Sequence, residues 1–353
     1  MNFGFTEEQN LLRDQVERFM QDTCPMTRVR ELSGTGGFDA ALWKQIGDLG
    51  WLGLLIPEAY GGLGLKWIDQ VVVLEAAATG LCPLPIASHA LASTAVLACA
   101  SDEQKSRWLP LMASGEAICT LGLYDDANWI DPSAITATAK ANADGYVLSG
   151  TKPFVNDASN ATYLLLAVQG PEGLALAAVS KDEVRITPQP TMDSTKPMAS
   201  VDLDGVAINA ESLLAMTTEQ LSYLTDCGAL AVTAEMVGAG DSILNLTSDY
   251  AKQRIQFGKP IGQYQGVKHR LADMYVDLES YRSLCYFAGW CADDDPKELA
   301  RAVSLAKGYA SDAFNQIGID GVGLHGAIGF TAEYDAQLFL KRSKWARPMF
   351  GDS

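Results

Sequence analysis

The sequence predicts an α+β protein in three parts: an N-terminal helical domain at 1–116, a middle antiparallel β-domain at 117–210 and a C-terminal helical bundle at 211–353. Helical apolar patterns fill the first part, and short β-branched runs between turn residues fill the second. Long helical patterns return in the third part. With 353 residues, the chain can bury more than one hydrophobic core.

In the N-terminal part, a capping box starts the first helix. Thr6 stands three residues before Gln9, which lets each side chain bond to the backbone N–H of the other. An apolar helical face follows, and its members are Leu11, Leu12, Val16, Phe19 and Met20. Ser101 begins a second box. Between the two boxes a glycine pair interrupts the periodicity, so residues 49–64 are predicted to form a loop.

The β-branched runs of the middle part have the length of ordinary strands. They lie at 135–139, 146–149, 163–168, 174–179, 184–188 and 200–203. Turn-forming sequences at 142–145 and 169–173 separate neighbouring runs. Thr217 and Gln220 then cap a helical pattern that extends to Gln253. Further helices are predicted at 263–291, 296–318 and 331–346.

The chain carries a net charge of −17, which disfavours nucleic acids and anionic membrane surfaces as partners. Its first residues lack the basic start and the apolar run of a signal peptide. We find no apolar stretch of the ~18 residues that span a bilayer. We therefore expect a cytoplasmic protein that binds neither membrane nor nucleic acid.

The seven cysteines and three histidines show no metal-site spacing. The cysteines are odd in number and form no CxxC pair, so they are predicted to be reduced and mostly buried thiols. The histidines lie far apart in the sequence. We therefore expect no metal site.

Residues 254–274 contain the most informative motif of the chain. It joins two helical patterns and carries an arginine, an aromatic ring and a glutamine at Arg254, Phe257 and Gln265. A guanidinium at a helix end can bind a pyrophosphate, an aromatic side chain can cover a ring system, and a glutamine offers both a donor and an acceptor. The motif resembles the flavin-binding signature of the acyl-CoA dehydrogenases. This resemblance implies FAD contacts from these three residues and from Gln256.

Other segments resemble the same family over nearly the whole chain. Residues 49–64 are similar to its "GWxGLxxPExYGG" segment, and residues 150–156 resemble its "G-x-K-x-W-I-T" strand, which packs against the flavin ring. The second resemblance implies that Phe154 stacks on the isoalloxazine. It also implies that Val155 and Asn156 bond to the polar edge of that ring and tune its electronics.

Residues 321–331 resemble the family's "AxQxHGGxGFT" turn, which meets the adenosine side of a FAD held mainly by a neighbouring subunit. Gly326 is the matching glycine, and it implies a close approach of the backbone to the cofactor. Gly323 replaces the glutamine of the motif and Ala327 replaces its second glycine, so this half-site is expected to be weakened or lost. The family's "TEPxxGSD" segment survives only as scattered letters at 120–131.

The family reaction needs a carboxylate that removes the α-proton of an acyl thioester while the β-hydrogen leaves as hydride. The two positions at which family members carry this glutamate hold Gly351 and Gly228. Asp352 stands one residue late. The acids nearest Gly228 are Asp226 and Glu235. Glu235 shares a helical face with Gly228 but lies roughly 10 Å along the axis.

These departures favour one subunit of a mixed assembly. The family includes bacterial α2β2 enzymes for bulky CoA esters such as sterol side chains, in which a second chain supplies the glutamate and the two chains share each FAD. The resemblance thus implies FAD-dependent α,β-desaturation of an acyl-CoA substrate in lipid and steroid degradation. It further implies a second acyl-CoA dehydrogenase-like subunit, and an electron-transfer flavoprotein as electron acceptor.

Two alternatives stay open. The first is a self-sufficient homotetramer that uses Asp352 or Glu235 as its base. The second is a non-catalytic acyl-CoA-binding or scaffold protein that kept the fold, since fold alone does not establish function. A nicotinamide enzyme is disfavoured because no GxGxxG follows a strand.

Overall fold

The computed structural model describes residues 5–125 and 134–353. Residues 1–4, which belong to the segment tested above for a signal peptide, lie outside the described residues. Ten α-helices occur in the described residues. They are α1 Glu7–Thr23, α2 Met26–Gly34, α3 Ala40–Asp48, α4 Trp67–Ala78, α5 Ile86–Cys99, α6 Asp102–Ala113, α7 Thr218–Gln253, α8 Gln265–Asp294, α9 Leu299–His325 and α10 Ala336–Ala346.

The strands concentrate in the middle of the chain, with one short pair after α7. They are β1 Cys119–Gly122, β2 Thr138–Ala141, β3 Gly145–Ser149, β4 Thr151–Asn156, β5 Tyr163–Gly170, β6 Gly173–Ser180, β7 Arg185–Gln189, β8 Met198–Asp202, β9 Ala207–Asn209, β10 Leu213–Ala215, β11 Ile255–Gln256 and β12 Lys259–Pro260. This order of helices, strands and helices confirms the predicted α+β class.

All three predicted capping boxes are present. The Gln9 N–H donates to Thr6 Oγ1 over 3.2 Å, and the Thr6 N–H donates to Gln9 Oε1 over 3.0 Å. The same reciprocal pair starts α6. At the start of α7, the Thr217 N–H donates to Gln220 Oε1 over 2.7 Å, and the return bond is 3.2 Å long. Each box satisfies backbone donors that a helix start otherwise leaves unpaired and contributes about 1 kcal/mol.

The middle of the chain folds into two sheets. The first has seven strands in the order β10-β6-β5-β2-β3-β9, with β1 also paired to β5, and the second has the order β4-β8-β7. Most neighbours are antiparallel as predicted, but β1 and β2 run parallel to β5. Apolar side chains of both sheets share one core, which includes Leu148, Val155, Leu164 and Val201.

The described chain forms two compact units. The first comprises the described residues of Met1–Glu31, Trp67–Cys82 and Ala229–Ser353, and the second comprises Leu32–Lys66 and the described residues of Pro83–Gly228. The first unit contains α1, α4, α8, α9 and α10, and the second contains α3, α5, α6 and both large sheets. The three-part division with boundaries after 116 and 210 stays a prediction.

Helix α7 runs for 36 residues without interruption. Within the part of the chain that the structure describes, it is the one helix long and apolar enough to cross a bilayer, whereas the sequence analysis found no apolar stretch of that length. However, 89% of its most apolar window is buried inside the protein. Such burial is typical of the core helix of a globular protein.

Helix α9 is longer than predicted, because it continues beyond residue 318 to His325. The glycine-rich sequence around Gly321 is therefore the end of a helix, and the turn begins only at Gly326. A Cβ at Gly321 would lie 2.6 Å from Cγ1 of Ile243, so glycine lets α9 approach α7 closely here. Helix α10 begins at Ala336, later than the predicted residue 331.

All seven cysteines are free thiols, and all except Cys99 are buried, as predicted. Burial raises the pKa of the Cys119 thiol to about 12 and that of Cys99 to about 11. Neither is a thiolate at neutral pH, so both are unreactive. Within 5–125 and 134–353, no cluster of three His, Cys, Asp or Glu side chains could hold a metal ion.

Candidate functional site

A two-residue β-hairpin follows the end of α7 in the first unit. Strands β11 and β12 pair antiparallel, and Phe257 and Gly258 form the turn with φ values of +52° and +80°. Two successive positive φ values are typical of a type I′ turn. The Arg254 N–H donates to the Tyr250 carbonyl, and the Arg254 carbonyl accepts from the Ile261 N–H, both over 2.8 Å. The backbone at Arg254 is therefore fixed on both sides.

The predicted cofactor residues of the motif lie on or beside this hairpin. Arg254, Gln256, Phe257 and Gln265 are all exposed, and 92% of the Phe257 surface is accessible. The Tyr264 hydroxyl donates to the Gln256 carbonyl over 3.0 Å, which ties the hairpin to the start of α8. An exposed aromatic ring on a fixed backbone is suited to cover a ligand. The cofactor roles of these residues remain predictions.

Gly326 follows α9 in the same unit and has a φ of +65°, which favours glycine. The preceding residue, His325, is buried, and its Nδ1–H donates to the Gly321 carbonyl over 2.6 Å. The His325 ring centroid lies 4.5 Å from that of Tyr250. Because Tyr250 stands one helical turn before Arg254, the Gly326 turn lies beside the end of α7 that carries the hairpin.

In the second unit, β4 carries the three residues predicted to meet the flavin ring. A β-bulge between Lys152 and Val155 shifts the register against β8, and bulges commonly re-aim side chains next to ligand sites. Phe154 is 36% exposed, whereas the Val155 side chain is buried in the core, so only the Val155 backbone can reach a ligand.

Asn156 supplies a direct test of whether the β4 site fits a cofactor. Its Oδ1 is buried and accepts no hydrogen bond within the protein. Its backbone carbonyl accepts from Thr120 Oγ1 over 2.6 Å, which holds the strand end in place. A buried amide oxygen without a donor is rare in proteins, and it fits a ligand that supplies the missing N–H or O–H.

A buried ion pair at the start of β4 was missed by sequence reasoning. Lys152 is fully buried, and its ammonium pairs with the carboxylate of Asp125, whose side chain is 3% exposed. The other carboxylate oxygen of Asp125 accepts from the Ala137 N–H over 2.7 Å. Asp125 belongs to the weakly matching stretch at 120–131, of which residues 126–131 lie outside the described residues. An acid near the start of the β-domain and the lysine of the strand motif were the available signals.

The candidate bases do not stand at either family position. Glu235 lies inside α7 and is 7% exposed, whereas Asp352 is exposed beyond α10. Gly351 has a φ of +102°, so a glutamate at that position would be strained. Asp226 is half-buried in the second unit, and burial raises its pKa to about 6. However, Asp226 precedes Gly228 by two residues, a rotation of about 200° around the helix axis, so the two residues point to nearly opposite sides of α7.

Comparison with known proteins shows the family. The acyl-CoA dehydrogenase N-terminal domain matches residues 6–116, and the acyl-CoA dehydrogenase C-terminal domain matches residues 220–353. The chain belongs to the acyl-CoA dehydrogenase family. A probable acyl-CoA dehydrogenase of Bacillus subtilis, YngJ, is 30% identical, and the match covers 98% of this chain and 94% of YngJ.

Two solved structures share the whole fold of this acyl-CoA dehydrogenase. The ChsE4–ChsE5 complex of Mycobacterium tuberculosis matches with 28% identity and a TM-score of 0.90, over 98% of this chain and 94% of the other. The Tcur3481–Tcur3483 steroid ACAD matches with 28% identity and a TM-score of 0.88, over the same shares. This acyl-CoA dehydrogenase is a FAD-dependent oxidoreductase that acts on a CH–CH group, so the predicted family, cofactor and enzyme class are confirmed.

Arg254→Ala is expected to weaken FAD binding roughly ten- to a hundredfold, because one charge-assisted hydrogen bond contributes about 1.5–3 kcal/mol. The free energy of unfolding should change by less than about 0.5 kcal/mol, since the residue is exposed. Flavin bound per chain after dialysis of the purified holoenzyme measures the effect. Lys252→Ala is the matched control, because Lys252 is an exposed cation at the same end of α7. Unchanged flavin binding in Arg254→Ala would remove this arginine from the site.

Proposed function

We propose that this acyl-CoA dehydrogenase is one subunit of a heteromeric α2β2 enzyme that introduces an α,β-double bond into a bulky acyl-CoA, such as a sterol side-chain CoA ester. The observation that carries the proposal is Gly351. This residue takes the place of the family's glutamate, and its φ of +102° is a conformation that favours glycine. A turn built around a glycine supports a glutamate that comes from another chain.

The acids of this chain near the two family positions support that reading. Removal of an α-proton needs a carboxylate shielded from water, and Asp352 is exposed. Glu235 is shielded, with 7% of its surface exposed, but it stands about 10 Å along α7 from Gly228. A second chain that carries a glutamate at either family position would complete the site.

The similar structures support both the assembly and the substrate class. ChsE4–ChsE5 is a complex of two proteins, and Tcur3481–Tcur3483 is a steroid ACAD. In the proposed enzyme, Arg254 binds the pyrophosphate of FAD, Phe257 covers a ring, and Gln265 and Asn156 offer hydrogen-bond partners. Bound FAD supplies the two-electron acceptor, and an electron-transfer flavoprotein takes the electrons onward. We further propose that the enzyme acts in the cytoplasm, in steroid degradation.

The test is the visible spectrum of the purified chain, recorded alone and after co-expression with acyl-CoA dehydrogenase-like chains from neighbouring genes. Sterol side-chain acyl-CoA is then added, and bleaching of the flavin band is followed. We expect colour and bleaching only in the co-expressed complex, and loss of bleaching when the partner's glutamate is changed to glutamine. Bleaching by the chain alone would overturn the heteromeric assignment and direct attention to Asp352→Asn and Glu235→Gln. Absence of flavin in both preparations would favour a binding or scaffold role.

A further inference from the structure

Lys307 ties helix α9 to the backbone that follows α10. Lys307 is 3% exposed, and its Nζ donates to Ser311 Oγ over 2.9 Å, to the Arg347 carbonyl over 2.9 Å and to the Gly351 carbonyl. An ammonium group has three N–H donors, so these acceptors use all of them. Lysine is almost never fully buried unless its charge is paired or hydrogen-bonded, which marks this contact as specific.

The turn at 347–351 depends on contacts from outside itself. The Gly351 N–H reaches the Pro348 carbonyl at 3.4 Å, which is long for an N–H···O bond. Phe350 has a φ of +55° and Gly351 a φ of +102°. A non-glycine residue in the left-handed region costs of order 1 kcal/mol, so the surroundings must hold Phe350 there. Lys307 supplies two hydrogen bonds to this turn.

We propose that Lys307 is a positioning residue that fixes the 347–351 turn against helix α9. It acts through the turn and touches no reacting atom. The contact lies within this chain, so it does not depend on the proposed function.

The proton on Lys307 gives this contact a measurable pH dependence. Burial lowers the pKa of Lys307 to about 7, and the nearby Arg347 guanidinium, which pairs with Asp312 at 2.8 Å, adds to that shift. The Asp352 carboxylate opposes it. A neutral amine keeps two N–H donors, which is enough for the two carbonyls of the turn. An open turn exposes the amine to water, and its pKa then returns toward about 10.4.

The closed turn therefore binds the proton more weakly than the open turn. Above a pH of about 7 the open state holds one more proton than the closed state. Each further unit of pH should then favour the closed turn by up to about tenfold, until the open state also loses its proton. Below that window both states are protonated, and the ratio of closed to open turns stays constant.

Amide hydrogen exchange of the peptide that covers 347–353 tests the inference in the full chain. After correction for intrinsic exchange rates, wild-type protection should be flat below about pH 6.5 and rise by up to about tenfold per unit above about pH 7.5. Lys307→Met, which keeps a long unbranched side chain without donors, should lose at least about tenfold protection at high pH and show no pH dependence. Lys344→Met is the matched control, because Lys344 also links α10 to α9, through Asn315 Oδ1 at 2.6 Å.

Equal protection of the peptide in the wild type and in Lys307→Met would overturn the inference, as would a wild-type profile that stays flat above neutral pH. If circular dichroism shows that Lys307→Met does not fold, the wild-type profile decides alone. The two proposals can fail separately. If no assembly turns over acyl-CoA but the protection of the 347–353 peptide behaves as expected, the proposed function is wrong and the positioning role of Lys307 is retained.

Discussion

Lys152→Met is expected to lower the free energy of unfolding by about 3 kcal/mol, because it leaves the Asp125 carboxylate in a buried site without its cation. The exposed fractions of the two side chains are 0% and 3%. Burial lowers the pKa of Lys152, and the charge of Asp125 opposes that shift, so the carboxylate helps to keep the lysine charged. The Ala137 N–H still donates to Asp125 in the variant, which limits the loss.

Urea denaturation measures this loss as a shift of the midpoint at a shared slope. Lys140→Met is the matched control: Lys140 is exposed on β2 in the same unit, so its loss should stay within about 0.5 kcal/mol. Combining Lys152→Met with Asp125→Asn removes both charges, and the double variant should be more stable than the sum of the single losses by at least about 1 kcal/mol. Strictly additive losses would show that the two side chains are not coupled.

Local features of this fold follow from the sequence because their interacting groups stand three residues apart. The capping boxes that begin at Thr6, Ser101 and Thr217 are examples, since a hydroxyl and an amide at that spacing meet as soon as a helix forms. The segment after Arg254 shows where this reasoning ends. The sequence predicts a corner between helices, but a positive φ at Phe257 is uncommon for a non-glycine residue and has no signal in the pattern.

The remaining features depend on tertiary packing. Asp125 pairs with Lys152 across 27 residues of sequence, and no local pattern fixes which lysine an acid will meet. The resemblance predicts a cofactor contact for Asn156, but its buried Oδ1 becomes evident only when β4 is packed against its neighbours. The resemblance to a family therefore indicates which residues to inspect, whereas the structure shows which of them are exposed, buried or in need of a donor.

Arg282→Met is expected to lower the stability of the first unit by about 3–4 kcal/mol, because Arg282 joins three helices through one buried and one partly exposed carboxylate. Its Nη1 lies 3.0 Å from Glu75 Oε1 on α4, and its Nη2 lies 2.6 Å from Asp241 Oδ1 on α7. The Tyr286 hydroxyl donates to Glu75 Oε2 over 2.8 Å. Without the arginine, the Glu75 side chain, which is 6% exposed, loses the cation that balances its burial.

The loss should be larger at pH 8 than at pH 5. Burial raises the pKa of Glu75, and Arg282 opposes that shift, so the pKa of Glu75 rises further in the variant. A carboxyl group whose pKa is raised in the folded state binds its proton more tightly there than in the unfolded chain. Its contribution to stability is therefore complete at low pH and is lost as pH rises toward the folded pKa.

Urea denaturation at both pH values tests this account. Arg301→Met is the matched control: Arg301 is 64% exposed on α9 and pairs with Glu298 three residues away, so it should cost no more than about 0.5 kcal/mol. Arg282→Lys keeps the charge without the planar fork that spans two carboxylates, and it should recover about half of the loss. Adding Glu75→Gln to Arg282→Met should restore stability at pH 8. An equal loss at both pH values, unchanged by Glu75→Gln, would instead assign the effect to packing of the arginine stem.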